Sequence, residues 1–112
     1  MKYYYNLYLD DYVASNKNEI IEKLENNEWQ LEVYLIVLSA HIDNQLEIYN
    51  STLLLQKSFR KEELLIVGIT KGYNESLEMV EKIMQEVYDN TKGTDMKSYI
   101  LNNQQIFEEG NR

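Results

Sequence analysis

The chain contains no cysteine and no proline, and only four of its 112 residues are glycine. The lack of cysteine excludes disulfide bonds and thiolate metal sites. No stretch reaches the roughly 18 uninterrupted apolar residues of a transmembrane helix. Residues 1–6 also lack the apolar block that opens a signal peptide. We therefore expect a cytoplasmic protein that does not associate with membranes.

Basic residues are also scarce. The chain carries 19 Asp and Glu residues against 11 Lys and Arg, a formal net charge of −8. Direct DNA or RNA binding relies on Lys and Arg to neutralise phosphates, so the sequence argues against it. The one basic cluster is Lys57, Arg60 and Lys61 around Phe59, which an ordinary charged loop explains better than a nucleic-acid site does. An acidic surface favours partner proteins with a basic surface, although it also serves solubility alone.

The residue sets that mark catalytic and metal sites are missing as well. His41 is the only histidine, and Asp43, two residues away in a turn, is not placed to orient it. The sequence contains no H-x-x-x-H, no cysteine pair and no calcium-binding loop. Residues 68–72 begin and end with glycine but match neither phosphate-binding glycine pattern. We expect no catalytic residue, no metal ligand and no cofactor, and predict that the protein is not an enzyme.

Apolar periodicity predicts a single α+β domain over residues 1–112, with the element order β-α-β-β-β-α-α. The predicted strands are 2–9, 31–40, 46–55 and 64–70, and the predicted helices are 16–26, 74–90 and 95–110. Asn16 is the expected N-cap of the first helix, and Thr94 or Asp95 that of the third. Three consecutive strands suggest a meander. We therefore predict a mainly antiparallel four-stranded sheet with the helices packed on one face.

Two helices carry an apolar stripe that should face the sheet. The residues expected on the inner side are Tyr73, Leu77, Val80, Ile83, Met84, Val87, Tyr88 and Thr91 in the first, and Met96, Tyr99, Ile100, Ile106 and Phe107 in the second.

Tyrosine is unusually frequent, with ten in the chain and half of them in the first twelve residues. In the first strand, Tyr4 and Tyr8 alternate with Tyr3 and Tyr5 and so face the opposite way. If helices cover only one face of the sheet, one of these rows is exposed, and an exposed aromatic row predicts a protein interface or a homodimer. If both faces are covered, the tyrosines simply fill them.

The acidic residues lie mainly on the predicted helices. Residues 1–30 hold six acids and three bases, residues 31–72 five and four, and residues 73–112 eight and four. Carboxylates spaced along a helix can imitate the phosphates of a nucleic acid, a face that would fit a basic groove. The predicted partner-binding residues are Glu75, Glu78, Glu81, Glu86, Asp89, Tyr4 and Tyr8.

Residues 65–78, LIVGITKGYNESLE, together with residues 1–9 and 95–110, resemble small uncharacterised proteins of Firmicutes mobile genetic elements. This resemblance transfers no activity and no site residue. It implies a setting in which anti-defence factors, immunity proteins and antitoxins are common.

Together these features predict a non-enzymatic protein-binding module, and specifically an inhibitor of a nucleic-acid-binding defence enzyme, in the manner of an anti-CRISPR protein. One alternative is an immunity or antitoxin-type protein, or a homodimeric structural protein. A further alternative is a small-ligand-binding protein or enzyme with a pocket near His41 and Tyr73.

Overall fold

The computed structural model, which describes residues 1–110, begins with a strand and two short helices, continues with three strands and ends with two longer helices. These residues form four strands and four α-helices, which confirms the α+β class. The elements are β1 (Lys2–Leu9), α1 (Asp11–Ser15), α2 (Lys17–Glu25), β2 (Val33–Leu38), β3 (Leu46–Asn50), β4 (Leu65–Lys71), α3 (Tyr73–Thr91) and α4 (Met96–Gly110). Two 3₁₀ turns, Ser51–Leu55 and Lys61–Glu63, lie between β3 and β4. Residues 111 and 112 of the predicted domain lie outside the described part.

The four strands form one sheet in the order β1-β4-β2-β3. β1 runs parallel to β4, and β2 runs antiparallel to both of its neighbours. The sheet is therefore mixed, and the prediction of a mainly antiparallel meander is wrong. The reason is that residues 51–64 carry the chain past β2, so that β4 enters the centre of the sheet instead of pairing with β3. A central place suits β4, because Ile66–Thr70 is buried throughout.

Helices cover both faces of this sheet. Leu35 and Ile36 of β2 point to opposite faces, and both are fully buried. On the α1/α2 face the buried cluster is Val13, Ile20, Leu24, Val33, Leu35, Val37, Leu54, Ile66 and Ile69. On the α3/α4 face it is Tyr4, Ile36, Val67, Met79, Ile83, Val87, Met96 and Ile100. The prediction that helices pack on one face is thus wrong, since apolar residues on both sides of a central strand require two covering layers.

The first helical region begins earlier than predicted. Asp10 caps α1, because its Oδ1 accepts a hydrogen bond from Val13 N at 2.9 Å. Its Oδ2 accepts from Lys71 N at 2.8 Å and so links the start of α1 to the end of β4. Asn16 does not cap α2 through its side chain, which donates to Tyr12 O instead. At α4, in contrast, Asp95 accepts from Ser98 N at 3.0 Å, as expected of an N-cap.

The buried side of α3 is rotated relative to the prediction. Its buried residues are Ser76, Met79, Ile83 and Val87. The residues wrongly predicted to be buried on α3 and α4 are Tyr73, Leu77, Met84, Tyr88, Thr91, Ile106 and Phe107, all of which are exposed. Ser76 tolerates burial because its hydroxyl donates to Tyr73 O at 2.5 Å. Within residues 1–110, no helix has the length and apolarity needed to cross a bilayer.

The contrast between two apolar residues of α3 tests this packing. We expect Ile83→Ala to lower the free energy of unfolding by about 2–5 kcal/mol, because it leaves a cavity between α3 and the sheet. Leu77→Ala removes a similar side chain from the exposed side, so its effect should stay below about 1 kcal/mol. Urea unfolding of both variants measures the difference. Equal losses would contradict the orientation of α3.

Candidate partner-binding surface

Two of the predicted acidic residues meet carboxylates from another element at one end of the sheet. Glu75 and Glu78 lie on the side of α3 that faces the junction between β1 and α1. With that junction and Lys82 they line a cleft of about 410 Å³. Its lining residues are Leu9, Asp10, Asp11, Tyr12, Lys71, Glu75, Glu78 and Lys82. We refer to it as the acidic cleft.

The carboxylates of this cleft differ in what they contact. Both oxygens of Asp10 accept hydrogen bonds from backbone groups, so Asp10 is a structural residue. Asp11, Glu75 and Glu78 are exposed, and their side chains have no hydrogen-bond or ion-pair partner within residues 1–110. Lys71 and Lys82 also line the cleft and offset part of its negative charge, but within residues 1–110 neither forms an ion pair with these carboxylates, and Lys71 Nζ donates instead to Leu31 O at 2.5 Å. Three carboxylates of the cleft are therefore exposed to solvent.

An apolar patch adjoins the acidic cleft. Tyr12, Trp29 and Leu31 are 53%, 62% and 58% exposed. They border a second cleft, of about 220 Å³, which shares Tyr12 and Lys71 with the acidic one. Lys71 Nζ lies 5.3 Å from the centroid of the Tyr12 ring, which links the two clefts. We call the three apolar residues and the acidic cleft together the contact surface.

The connection between α2 and β2 places two of these residues outward. Gln30 is buried, and its Nε2 donates to Ile20 O at 3.2 Å. Its neighbours Trp29 and Leu31 consequently point to solvent. Glu32 follows with a φ of 55°, the turn that brings the chain into β2. Sequence reasoning missed this part of the surface, although the only tryptophan of the chain and the alternation around Gln30 were signals for it.

The two tyrosines predicted to contact a partner differ in burial: Tyr4 is buried and Tyr8 is half-buried. Tyr4 is 2% exposed and belongs to the core of the α3/α4 face. Its ring stacks on that of Tyr8 at 6.0 Å, and Asn103 Nδ2 donates to its hydroxyl at 3.3 Å. The aromatic row was expected to be exposed because only one face of the sheet was expected to be covered. Since α3 and α4 cover this face, the two tyrosines fill the core.

Glu86, another predicted contact residue, makes hydrogen bonds within the chain. One carboxylate oxygen, Oε2, accepts hydrogen bonds from the hydroxyls of Tyr8 and Tyr99, the latter at 3.4 Å. Burial raises the pKa of the Tyr8 hydroxyl, and the hydrogen bond to Glu86 raises it further. Tyr8 thus remains a protonated donor far above neutral pH. Through these two hydrogen bonds, Glu86 links α3 to Tyr8 of β1 and to Tyr99 of α4.

The other two predicted acidic residues lie away from the acidic cleft. Glu81 is exposed beside Met84 and Tyr88 on another side of α3. Asp89 is exposed near the end of that helix, where it accepts a hydrogen bond from Gln85 at 2.8 Å. Neither residue lines the acidic cleft. The structure therefore brings together Glu75 and Glu78 but separates them from Glu81, Glu86 and Asp89.

The pocket predicted near His41 and Tyr73 is not formed by those two residues. His41 is exposed after the end of β2, with its Nε2 3.9 Å from Glu47 Oε1. Tyr73 lies at the opposite end of β2, where its ring meets that of Tyr34 at 5.6 Å. Because β2 is antiparallel to β4, the segment after β2 and the segment after β4 fall at opposite ends of the sheet.

Phosphate, metal and nucleic-acid sites find little support in the geometry. The Glu75 side chain lies against Gly72 at the start of α3, where an anion would have to bind. Across residues 1–110, no group of three or more His, Cys, Asp or Glu residues is placed to hold a metal ion. In the basic cluster, Lys61 Nζ donates to Asn27 Oδ1 at 2.6 Å, and Arg60 lies 3.5 Å from Glu63. Both bases are therefore engaged in contacts within the chain.

Comparison with known proteins adds no relative to this description. No protein-family model, curated protein or solved structure matches the chain. The observations that bear on function are the exposed carboxylates of the acidic cleft and the apolar residues beside them.

A matched pair of substitutions on α3 separates the structural carboxylate from an exposed one. We expect Glu86→Ala to lower the free energy of unfolding by about 1–3 kcal/mol, because it removes the acceptor of two tyrosine hydroxyls. Glu81→Ala makes the same chemical change at an exposed position and should be nearly neutral. Urea unfolding at neutral pH gives both values. A neutral Glu86→Ala would show that the network contributes nothing.

The raised pKa of Tyr8 predicts a loss of stability in alkali. An unfolded tyrosine ionises near pH 10, and the folded pKa lies above that value. The stability that depends on the protonated hydroxyl is therefore complete below about pH 10 and falls as the pH rises towards the folded pKa. Tyr8→Phe cannot ionise, so its free energy of unfolding should fall less between pH 9 and 11. If the free energy of unfolding fell equally steeply with pH in the wild-type protein and in Tyr8→Phe, this role of Tyr8 would be contradicted.

Proposed function

We propose that this chain is a non-enzymatic protein-binding module whose contact surface recognises a basic surface of another protein. The observation that carries the proposal is the meeting of Asp11, Glu75 and Glu78 beside exposed Tyr12 and Trp29. Aromatic side chains at the centre of an interface supply much of the binding energy. Carboxylates at its rim steer a basic partner and fix its orientation.

The charges and the exposed apolar residues of the contact surface are more favourable in a complex with a basic partner than in the free protein. The acidic cleft holds four carboxylates and two lysines, so it keeps an excess of negative charge, and the net charge of −8 adds to the repulsion. A partner that brings Lys or Arg into the cleft relieves this repulsion. Trp29 and Leu31, both more than half exposed, lose contact with water in the same step.

Within this class, we propose inhibition of a nucleic-acid-binding defence enzyme in the cytoplasm. The carboxylates of Glu75 and Glu78, spaced along one side of α3, would occupy the positions of phosphates in the basic groove of such an enzyme. The resemblance of residues 65–78 to proteins of mobile genetic elements supports this setting. An immunity or antitoxin-type protein is a second candidate with the same surface chemistry, and it differs in that its target would be a toxin.

Charge reversal at the acidic cleft tests the proposal. Immobilised wild-type protein should retain a basic partner from host lysate, and Glu75→Lys/Glu78→Lys should weaken its retention at least tenfold, because attraction becomes repulsion. The control Glu62→Lys/Glu109→Lys changes the net charge equally at exposed residues outside the contact surface. It should retain the partner. Quantitative mass spectrometry of the retained proteins measures the ratio.

The captured partner also tests the specific function. A nucleic-acid-binding enzyme should be released by its own DNA or RNA, because both ligands compete for one groove, and its activity should fall when the wild-type protein is added. Retention by the control and the acidic-cleft variant alike would overturn the proposed surface. A partner that DNA and RNA cannot displace would favour the immunity or antitoxin-type alternative.

A further inference from the structure

The edge of the sheet at β3 is open. β3 pairs with β2 on one side, in a regular register from Tyr34↔Asn50 to Leu38↔Leu46. Within residues 1–110, no strand pairs with its other side. Ser39 N donates to Gln45 O at 3.0 Å, and antiparallel strands alternate their hydrogen-bonded pairs. The backbone groups of Glu47 and Tyr49 therefore point to β2, whereas those of Leu46, Ile48 and Asn50 point outward.

The opposite edge, β1, is protected in ways that β3 is not. The register of β1 with β4 shifts between Tyr3 and Tyr8, which makes the strand irregular. The outward N–H of Tyr5 donates to Gln104 Oε1 of α4 at 2.8 Å. Lys2 forms an ion pair with Glu108 at 2.9 Å. Bulges, edge charges and covering helices are the usual means by which proteins prevent edge-to-edge pairing.

Within residues 1–110, β3 has no bulge, and no helix forms a hydrogen bond with its outward backbone groups. Its sequence, LEIYN, has no lysine and no proline, and its register is unbroken. The only charged residue, Glu47, accepts hydrogen bonds from Ser39 and Tyr49 of its own chain. An unprotected and regular edge strand is a template for another strand.

We propose that β3 is the interface of a homodimer in which two copies pair antiparallel about Ile48 and form a continuous eight-stranded sheet. In this register Ile48 faces Ile48 of the second copy, and Leu46 faces Asn50. The outward backbone groups of all three residues then find partners. Glu47 lies opposite Tyr49, so no like charges face each other.

Neighbouring registers are less favourable. Centring the pair on Glu47 would set two carboxylates opposite each other, which is destabilising. Centring it on Tyr49 would leave Leu46 and Glu47 of each copy without a partner residue in β3. The Ile48-centred register pairs all five residues of the strand, so it forms the most hydrogen bonds that this edge allows.

The low number of charged residues near β3 favours pairing with a second copy at this edge. Each molecule has a net charge of −8, and two copies repel each other over most of their surface. Residues 33–58, which include β2, β3 and their turn, hold only two acids and one lysine. The β3 edge is therefore where two copies can approach with little repulsion.

An exposed apolar row on α3 lies on the same side of the molecule. The row consists of Tyr73, Leu77, Met84 and Tyr88. It lies away from the side of α3 that contacts β1 through Glu86, and the Tyr73 ring contacts Tyr34 of β2, the neighbour of β3. A two-fold axis perpendicular to the sheet places both copies of the row on one face of the dimer.

The cysteine-free chain permits a direct test of the register. In the proposed register the two copies of Ile48 form a hydrogen-bonded pair, and the Cα atoms of such a pair lie about 5.5 Å apart. This distance is within the range of about 4.4–6.8 Å that a disulfide spans. Under mild oxidation, Ile48→Cys should therefore become mostly covalent dimer. Ile42→Cys, at a more exposed turn residue outside β3, should cross-link at least fivefold more slowly. Light scattering of the wild-type protein should show a mass rising from 13.4 kDa towards twice that value with concentration.

A second pair of variants covers the case in which Ile48→Cys fails to fold. A mixture of Leu46→Cys and Asn50→Cys should cross-link faster than either variant alone, since these positions face each other only between copies. A wild-type mass of one chain at all concentrations up to about 1 mM would overturn the proposal. A dimer without the register-specific cross-links would assign the interface to another surface and would overturn it as well. Glu75→Lys/Glu78→Lys should leave the mass unchanged, so failure here is separate from failure of the proposed function.

Discussion

The close approach of β1, β4 and β2 at Gly68 is the constraint on which the fold depends. A Cβ at this position would lie 3.1 Å from Tyr8 O and 3.2 Å from Ile36 Cδ1, so a larger residue would require these neighbours to shift by a few tenths of an ångström. Gly68 thus allows β4 to lie between a parallel and an antiparallel neighbour. With β4 central, Ile66 and Ile69 face one helical layer and Val67 faces the other. The two cores, and therefore both helical layers, follow from that placement.

Covering both faces of the sheet divides the acidic and aromatic residues into two groups. Tyr4, Tyr8 and Glu86 lie inside the α3/α4 layer, where hydroxyl groups satisfy a half-buried carboxylate. Glu75 and Glu78, on the same helix as Glu86, lie near the end of β4 and remain open to solvent. The helix therefore has a structural carboxylate and two exposed ones within eleven residues of each other. Their difference arises from position relative to β1 and not from residue type.

Local patterns in the sequence predicted the elements better than their arrangement. Alternation located β1 correctly, and periodicity located α3 and α4 to within one residue at each end. Strand order was beyond the same patterns, because the alternation within β3 and β4 does not reveal that β2 lies between them. Helix α1 was not predicted because it has only five residues, too few for apolar periodicity to indicate a helix. The acidic half of the contact surface was visible as Glu75 and Glu78. The apolar half was not, since the exposure of Trp29 depends on Gln30 turning inward to reach Ile20 O.

That inward turn of Gln30 has a consequence for the speed and strength of the proposed association. A loop held by a buried side-chain hydrogen bond loses little conformational entropy when Trp29 and Leu31 enter an interface. The exposed side chains of Trp29 and Leu31 still lose rotamer freedom, at about 0.5–1.5 kcal/mol each. A preorganised anchor can dock as a rigid body, without a slow conformational step before the encounter complex closes. The amide of one buried glutamine thereby influences how readily the only tryptophan of the chain can act as a recognition element.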